Sequence, residues 1–383
     1  MAEPERLKWG ETNVVVGLGC LDNIAADLRT RIDGDPSPVV IFSGRKAMRE
    51  HGFLAALVGR FAPRRVEVYE HIAPDPTLDS CQRAADFLTK LRPSCLVALG
   101  GGSVIDTAKA ANIAAGTQSP VRELLQTATR RELRNLTDNF VAVPTTAGTG
   151  SEVTPFATVW DFEASKKYSI DNRLLQPSHA YLDGLLAVSL SESQTQTAAG
   201  DALAHALESI WSKSNHIFTQ ALAAQAVRLI VKTLPTLLAD LSAVEARQRM
   251  SWASLLAGMA ISRTRTAAAH AISYPLTLGY GVPHGRAVAV LLPHVLAANL
   301  TALGDERVEL LCDCFAVGTR EELPAACQEF LTLTGITQPL SSYGVRPSDV
   351  PGIARESNTP GRLDNNCQPL SVENIERIIS DAL

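Results

Sequence analysis

Apolar and polar positions along the chain fall into two regimes. Between about residues 13 and 115, short apolar runs alternate with amphipathic stretches. NVVVG (13–17), PVVIFS (38–43), RVEVY (65–69) and CLVAL (95–99) read as strands, being apolar or β-branched and mostly bounded by Gly or Pro. Asp79–Leu91 and the VIDTAKAANIAA segment show helical periodicity, and NFVAVP (139–144) adds another strand. Alternating strands and helices predict a parallel α/β sheet, with ligand sites beyond the carboxyl ends of the strands. From about Leu185 the pattern changes. SLSESQTQTAAGDALAHALESIW opens with Ser-rich capping signals, and long Ala/Leu-rich helical patterning follows. Strand-like runs nearly vanish there; AVAVLLP (287–293) fits a buried helix as well as a strand. The expected division is an α/β domain over 1–187 and an all-helical domain over 188–383.

Length and composition agree with two domains. The chain has 383 residues, of which 46% are hydrophobic and 20% charged, ordinary values for a globular protein. The net charge of −5 and the lack of a long basic run give no support to a nucleic-acid partner. Seven scattered cysteines without a C-x-x-C predict a reducing compartment and no disulfide framework. The amino terminus, MAEPERLKWGETN, has no apolar signal core, and no uninterrupted apolar run approaches the roughly 18 residues of a membrane helix. A cytoplasmic protein without a membrane partner is expected.

Two loops and two helical stretches carry candidate chemistry. Gly100-Gly101-Gly102-Ser103 joins a buried strand to a helix. Glycines there let a phosphate approach the backbone, and the helix start supplies N–H donors. Thr145-Thr146-Ala147-Gly148-Thr149-Gly150 follows the next strand. Either loop alone also fits a ligand-free turn; together they favour a dinucleotide lying across a crevice. Gly17 and Gly19 imitate a dinucleotide fingerprint, but Asp22 stands where its third glycine belongs. In GDALAHALE, Asp201 and His205 lie one turn apart on one helix face. His270 and His284 follow in AGMAISRTRTAAAHAISYPLTLGYGVPHG. Each histidine alone reads as readily as a core or surface residue. One carboxylate with three imidazoles suits a divalent transition metal, Fe(II) or Zn(II).

ALGGGSVIDTAKA, VPTTAGTGSEVTPFATVWD, GDALAHALE and the His270–His284 stretch together resemble the iron-containing (group III) alcohol dehydrogenases, in the right order and over nearly the whole chain. The resemblance implies a Rossmann-like dinucleotide-binding domain followed by a helical metal-binding domain, an architecture shared with dehydroquinate synthase. It places the metal ligands on Asp201, His205, His270 and His284. The pyrophosphate loop falls on Gly100, Gly101, Gly102 and Ser103, followed by Asp106, and the Thr-rich loop on Thr145, Thr146 and Thr149. Lys167 stands where the family often has an active-site lysine, a position equally suited to a solvated one. A homodimer is expected, as is common in the family.

Three departures from the family pattern refine the expectation. Tyr274 occupies a position where many members carry a second histidine. A phenol, with an ordinary pKa of about 10, is a poor base but can relay a proton or bind substrate. After the second strand, Gly44-Arg45-Lys46 replaces the acidic residue that holds a ribose 2′-hydroxyl, which favours NADP(H) over NAD(H). Before His270, Arg263 and Arg265 stand where the family has small or amide residues. Guanidinium forks suit phosphate or phosphonate oxygens, although both side chains could equally face solvent or pair with acids.

TRTAAAHAISYPLT resembles the phosphonoacetaldehyde reductase (2-hydroxyethylphosphonate dehydrogenase) branch. That resemblance implies metal-dependent reduction of phosphonoacetaldehyde to 2-hydroxyethylphosphonate. The alternatives are a general alcohol or diol dehydrogenase of the same family, a non-redox lyase of the dehydroquinate synthase type, and a metal-free scaffold.

Overall fold

The computed structural model describes residues 3–383 except 45, 73, 128–131, 165 and 360, with the backbone alone at 126 and 127. Two compact units emerge. The first comprises Met1–Thr146 and Ser151–Ser189, the second Ala147–Gly150 and Leu190–Leu383.

The first unit contains strands β1 (Glu5–Trp9), β2 (Thr12–Val16), β3 (Val39–Ser43), β4 (Val66–Tyr69), β5 (Cys95–Gly100), β6 (Phe140–Pro144), β7 (Phe156–Asp161), β8 (Lys166–Asp171) and β9 (His179–Leu182). Its helices are α1 (Ile24–Ile32), α2 (Ala47–Glu50), α3 (Phe53–Arg60), α4 (Leu78–Leu91), α5 (Gly102–Thr117) and α6 (Val121–Thr127). Seven strands form one sheet in the order β1-β2-β9-β6-β5-β3-β4, parallel except for the antiparallel β1 edge.

Both faces of the sheet are covered, as the uninterrupted apolar runs require. Val40, Phe42, Leu96, Ala98 and Ala142 face a core shared with α4 and α5. Their neighbours Val39, Ile41, Cys95, Val97 and Val141 face the opposite core with α1 and α3. The register pairs Leu96 with Phe140 and Gly100 with Pro144, so the loops after β5 and β6 emerge side by side. Strands β7 and β8 make a separate antiparallel hairpin that the apolar pattern did not predict.

Among the described residues, the second unit has no named strand. It consists of α7 (Glu192–Trp211), α8 (Ile217–Ala239), α9 (Val244–Thr264), α10 (Ala268–Tyr280), α11 (His284–Ala289), α12 (Leu292–Asn299), α13 (Asp305–Phe315), α14 (Leu323–Leu333), α15 (Val350–Glu356) and α16 (Val372–Asp381), with short 3-10 turns. The ambiguous AVAVLLP segment closes α11, turns at Val290 and Leu291, and opens α12. Helix α7 starts at a capping box: Ser191 Oγ accepts the Gln194 N–H, and Gln194 Oε1 accepts the Ser191 N–H. Arg265 ends α9 with φ at 61°, and Gly281 ends α10 in the left-handed region.

Helix α8 has 23 residues and a mean hydropathy of 1.3, long and apolar enough to cross a membrane by those measures. Its two charged residues, Arg228 and Lys232, interrupt the apolar run without lowering the mean enough. Ala223, Val227, Ile230 and Leu234 lie in the helical core, so its apolar face is a packing face.

Candidate metal centre and nucleotide loops

Helix α7 sets out the candidate metal centre by its own periodicity. Asp201, His205 and Glu208 stand at i, i+4 and i+7, hence on one face. His270 arrives on the first turn of α10 and His284 at the start of α11. The Nε2 atoms of His205 and His270 each lie 3.5 Å from Asp201 Oδ1, and that of His284 lies 4.0 Å away. Donors on a tetrahedral ion at about 2.0–2.2 Å are roughly 3.3–3.6 Å apart. Asp201, His270 and His284 offer donor atoms that all lie within 4.8 Å of one another, a group that can close on one ion, and His205 Nε2 reaches the same Asp201 oxygen.

The buried polar atoms support that fit. Among the described residues, Asp201 Oδ1 and His270 Nε2 are buried and have no hydrogen-bond partner. Such orphans are costly unless something else satisfies them. Imidazole orientation is also prepared. His205 Nδ1 is 3.3 Å from the Gly148 carbonyl oxygen, which can only accept, so Nδ1 carries the proton and Nε2 presents its lone pair. The loop predicted to serve a nucleotide thus also orients a candidate metal ligand, a role that sequence spacing did not reveal. His270 Nδ1 lies 2.7 Å from Glu208 Oε2.

The charges are strongly coupled. Burial alone would raise the Asp201 carboxyl, but His205, His270 and His284 hold it well below the usual carboxylate range. Burial lowers the His205 imidazole despite Asp201. It works against His270 too, yet the Glu208 and Asp201 carboxylates raise that group to about 9. Burial also opposes charge on Glu208, and His270 holds its carboxyl below the ordinary value.

Tyr274 follows His270 by one turn, is buried, and stacks on His284 with ring centroids 6.1 Å apart. Arg263, in the last turn of α9, and Arg265, at its C-cap before the α9–α10 turn, are exposed. That turn is pinned by Asn365, whose Nδ2 donates to Thr264 O at 2.8 Å and Thr266 O at 3.0 Å. Sequence reasoning missed Asn365, which lies about a hundred residues away in the chain.

The nucleotide candidates belong mainly to the first unit. Gly100–Ser103 forms the β5–α5 turn, and Thr145 N–H donates to Gly100 O at 3.0 Å. A Cβ on Gly101 would meet Thr146 at 3.1 Å, so the Gly-rich loop and Thr146 are in close approach. Thr149 lies in the Ala147–Gly150 piece of the second unit. Ser103 Oγ donates to Pro74 O. Asp106, read as facing the nucleotide, uses both oxygens internally: Oδ1 accepts from Ser151 Oγ at 2.5 Å and Oδ2 from Thr158 N–H at 2.8 Å. Its placement is that of a loop anchor. Gly44 is half-buried with open space where a Cβ would stand, and Arg45 lies outside the described residues. Lys167 is on β8, its Nζ 5.3 Å from the Trp160 ring centre.

Comparison with known proteins decides the family. Residues 11–184 match the iron-containing alcohol dehydrogenase model, and residues 195–383 match that of the Fe-containing alcohol dehydrogenase family, C-terminal. The 1,3-propanediol dehydrogenase of Klebsiella pneumoniae is 32% identical over 330 residues, covering 84% of either chain. This chain belongs to the iron-containing alcohol dehydrogenase family. Aldehyde-alcohol dehydrogenase 2 of Entamoeba histolytica is 30% identical over 355 residues; the match covers 83% of this chain and spans 40% of that longer protein. Among solved structures, the sulfoacetaldehyde reductase of Bifidobacterium kashiwanohense in complex with NAD+ superposes with a TM-score of 0.89 at 25% identity, covering 98% of this chain and 99% of the other. The family assignment agrees with the two-unit fold and with the donor set built around Asp201.

Proposed function

We propose that this family member reduces phosphonoacetaldehyde to 2-hydroxyethylphosphonate, with NADPH preferred over NADH. The observation that carries the reading is a pair of exposed arginines, Arg263 in the last turn of α9 and Arg265 at its C-cap, beside a turn that Asn365 pins and that leads directly into the helix of His270. A guanidinium on an anchored backbone loses less freedom on binding an oxyanion than one on a mobile loop. Similarity to a sulfoacetaldehyde reductase supports the same class, because sulfonate and phosphonate ends are both tetrahedral oxyanions.

Asp201, His205, His270 and His284 would hold the metal, and the Gly-rich and Thr-rich loops the dinucleotide. When bound, the metal supplies Lewis acidity toward the carbonyl oxygen and NADPH supplies the hydride. Reduction also requires one proton on that oxygen. The Tyr274 hydroxyl is this chain's own candidate to deliver it, since its ring stacks on His284. Arg263 and Arg265 would fix the phosphonate, and Lys167 is a weaker candidate for substrate contact. Preference for NADPH rests on Ser43-Gly44-Arg45-Lys46, where no carboxylate follows β3 and two cations do.

The test is NADPH oxidation by metal-reconstituted protein, with phosphonoacetaldehyde and propionaldehyde compared. A kcat/KM ratio of about a hundred or more, worth about 2.7 kcal/mol of transition-state binding, is expected. Equal turnover would refute the phosphonate assignment. It would favour a general alcohol or diol dehydrogenase, the reading to which similarity with 1,3-propanediol dehydrogenase points.

A further inference from the structure

Glu208 is fully buried, and the chemistry assigned above does not use it. Its carboxylate has three partners. Oε2 accepts the backbone N–H of Ala267 at 2.7 Å and faces His270 Nδ1 at 2.7 Å, while Oε1 accepts the backbone N–H of His270 at 3.2 Å. Ala267 is the N-cap of α10 and makes no side-chain cap of its own. Two amides at this helix start therefore find their acceptor on α7. An anionic cap there also meets the positive end of the helix dipole.

One carboxylate thus performs two jobs. It caps the helix that carries His270, and it accepts the Nδ1 proton that leaves Nε2 of the same ring directed at Asp201 Oδ1, 3.5 Å away. We propose that Glu208 is the positioning residue of the metal centre, fixing both the backbone of α10 at His270 and the tautomer of its imidazole. The proposal rests on the reading of Asp201, His205, His270 and His284 as ligands. A glutamine cannot replace the carboxylate. Its Oε1 can accept one set of these donors, but its amide nitrogen must then face the other N–H, where donor opposes donor. Outer partners of this kind typically contribute about 10- to 100-fold to metal affinity.

The experiment uses the full chain stripped with a chelator and titrated with Zn2+ against a competing chromophoric chelator. E208Q is expected to weaken Zn2+ binding by about 10- to 100-fold. H270A removes a ligand, and the double variant E208Q/H270A should bind no more than about twofold less tightly than H270A, because Glu208 acts through His270. Folded E208Q with wild-type affinity overturns the proposal, as do losses that multiply in the double variant. Wild-type protein that takes up no Zn2+ overturns the ligand assignment itself, and this proposal with it.

If E208Q does not fold, the zinc-loaded wild type decides. With 15N-labelled histidine, a downfield Nδ1–H proton resonance that vanishes in H270A is expected, and its absence overturns the proposal. A purely structural cap would leave no such signature on the His270 ring.

Discussion

Replacing Lys109 with Met tests how the segment after the Thr-rich loop is held. Lys109 is 1% exposed, and its ammonium donates to Ser151 O at 2.6 Å, Phe156 O at 2.7 Å and Thr154 O at 2.8 Å. Three donors meet three backbone acceptors. Asp106, one turn earlier on α5, holds Ser151 Oγ and the Thr158 N–H. The two side chains fasten 151–158 to the helix whose first turn is the Gly-rich loop. Met keeps the apolar stem but leaves the three carbonyls without this donor, at about 1–3 kcal/mol for each one left unsatisfied.

Against that stands the penalty of burying an ammonium, which lowers Lys109 from 10.5 to about 8 although Asp106 and Glu152 oppose it. The net loss for Lys109→Met should therefore fall below the sum, at about 3 kcal/mol. For a unit of this size that is a fall in melting temperature of roughly 6–12 °C. Scanning calorimetry measures it, and a several-fold rise in the NADPH Michaelis constant should accompany it. The pH dependence gives a second check. Because the folded pKa is depressed, the unfolded chain binds more protons between about pH 8 and 10.5. Titration of Lys109 thus adds stability as pH rises through that window, an increment that is lost as pH falls through about 8, where both states carry the ammonium. A Met variant that melts within about 2 °C of wild type, with the alkaline rise intact, would refute the reasoning.

Four further outcomes are expected. Arg265 has φ at 61°, where an ordinary side chain is strained by about 1–2 kcal/mol; Arg265→Gly should leave the melting temperature unchanged or higher while reducing the preference for phosphonoacetaldehyde over propionaldehyde. Tyr274→Phe should lower kcat by about tenfold or more with little change in KM, as steady-state kinetics will show, if its hydroxyl delivers the proton. Burial raises Glu152 from 4.5 to about 7, so its contribution to stability is full below pH 4.5 and is lost as pH rises through about 7; Glu152→Gln should flatten that fall in urea titrations across the acid range. His270 is raised to about 9, so metal must displace its proton, and Zn2+ affinity measured by calorimetry should rise with pH up to about that value.

What the chain's own pattern disclosed follows a physical division. Strands β3, β5 and β6 are buried on both faces, and their unbroken apolar runs announce them. Strand β1 (ERLKW) is a half-exposed sheet edge and β8 (KKYSID) belongs to an isolated hairpin; both mix charges with apolar residues and resemble loop. Asp201 and His205 were legible as a pair because helical spacing alone puts them together, and the fold brings His270 and His284 to them. Asp106 shows the same limit: in sequence it follows the Gly-rich loop, and only the fold reveals that its two oxygens accept from Ser151 and Thr158. Glu208 stayed hidden for a related reason. On the pattern of α7 it is an acid on a helix face, and its partner His270 is 62 residues away. Spacing reports what a side chain can do within its own helix. The Glu208–His270 contact depends on where the α9–α10 turn comes to rest, and that is decided by packing and by the Asn365 anchor, neither of which has a local signature.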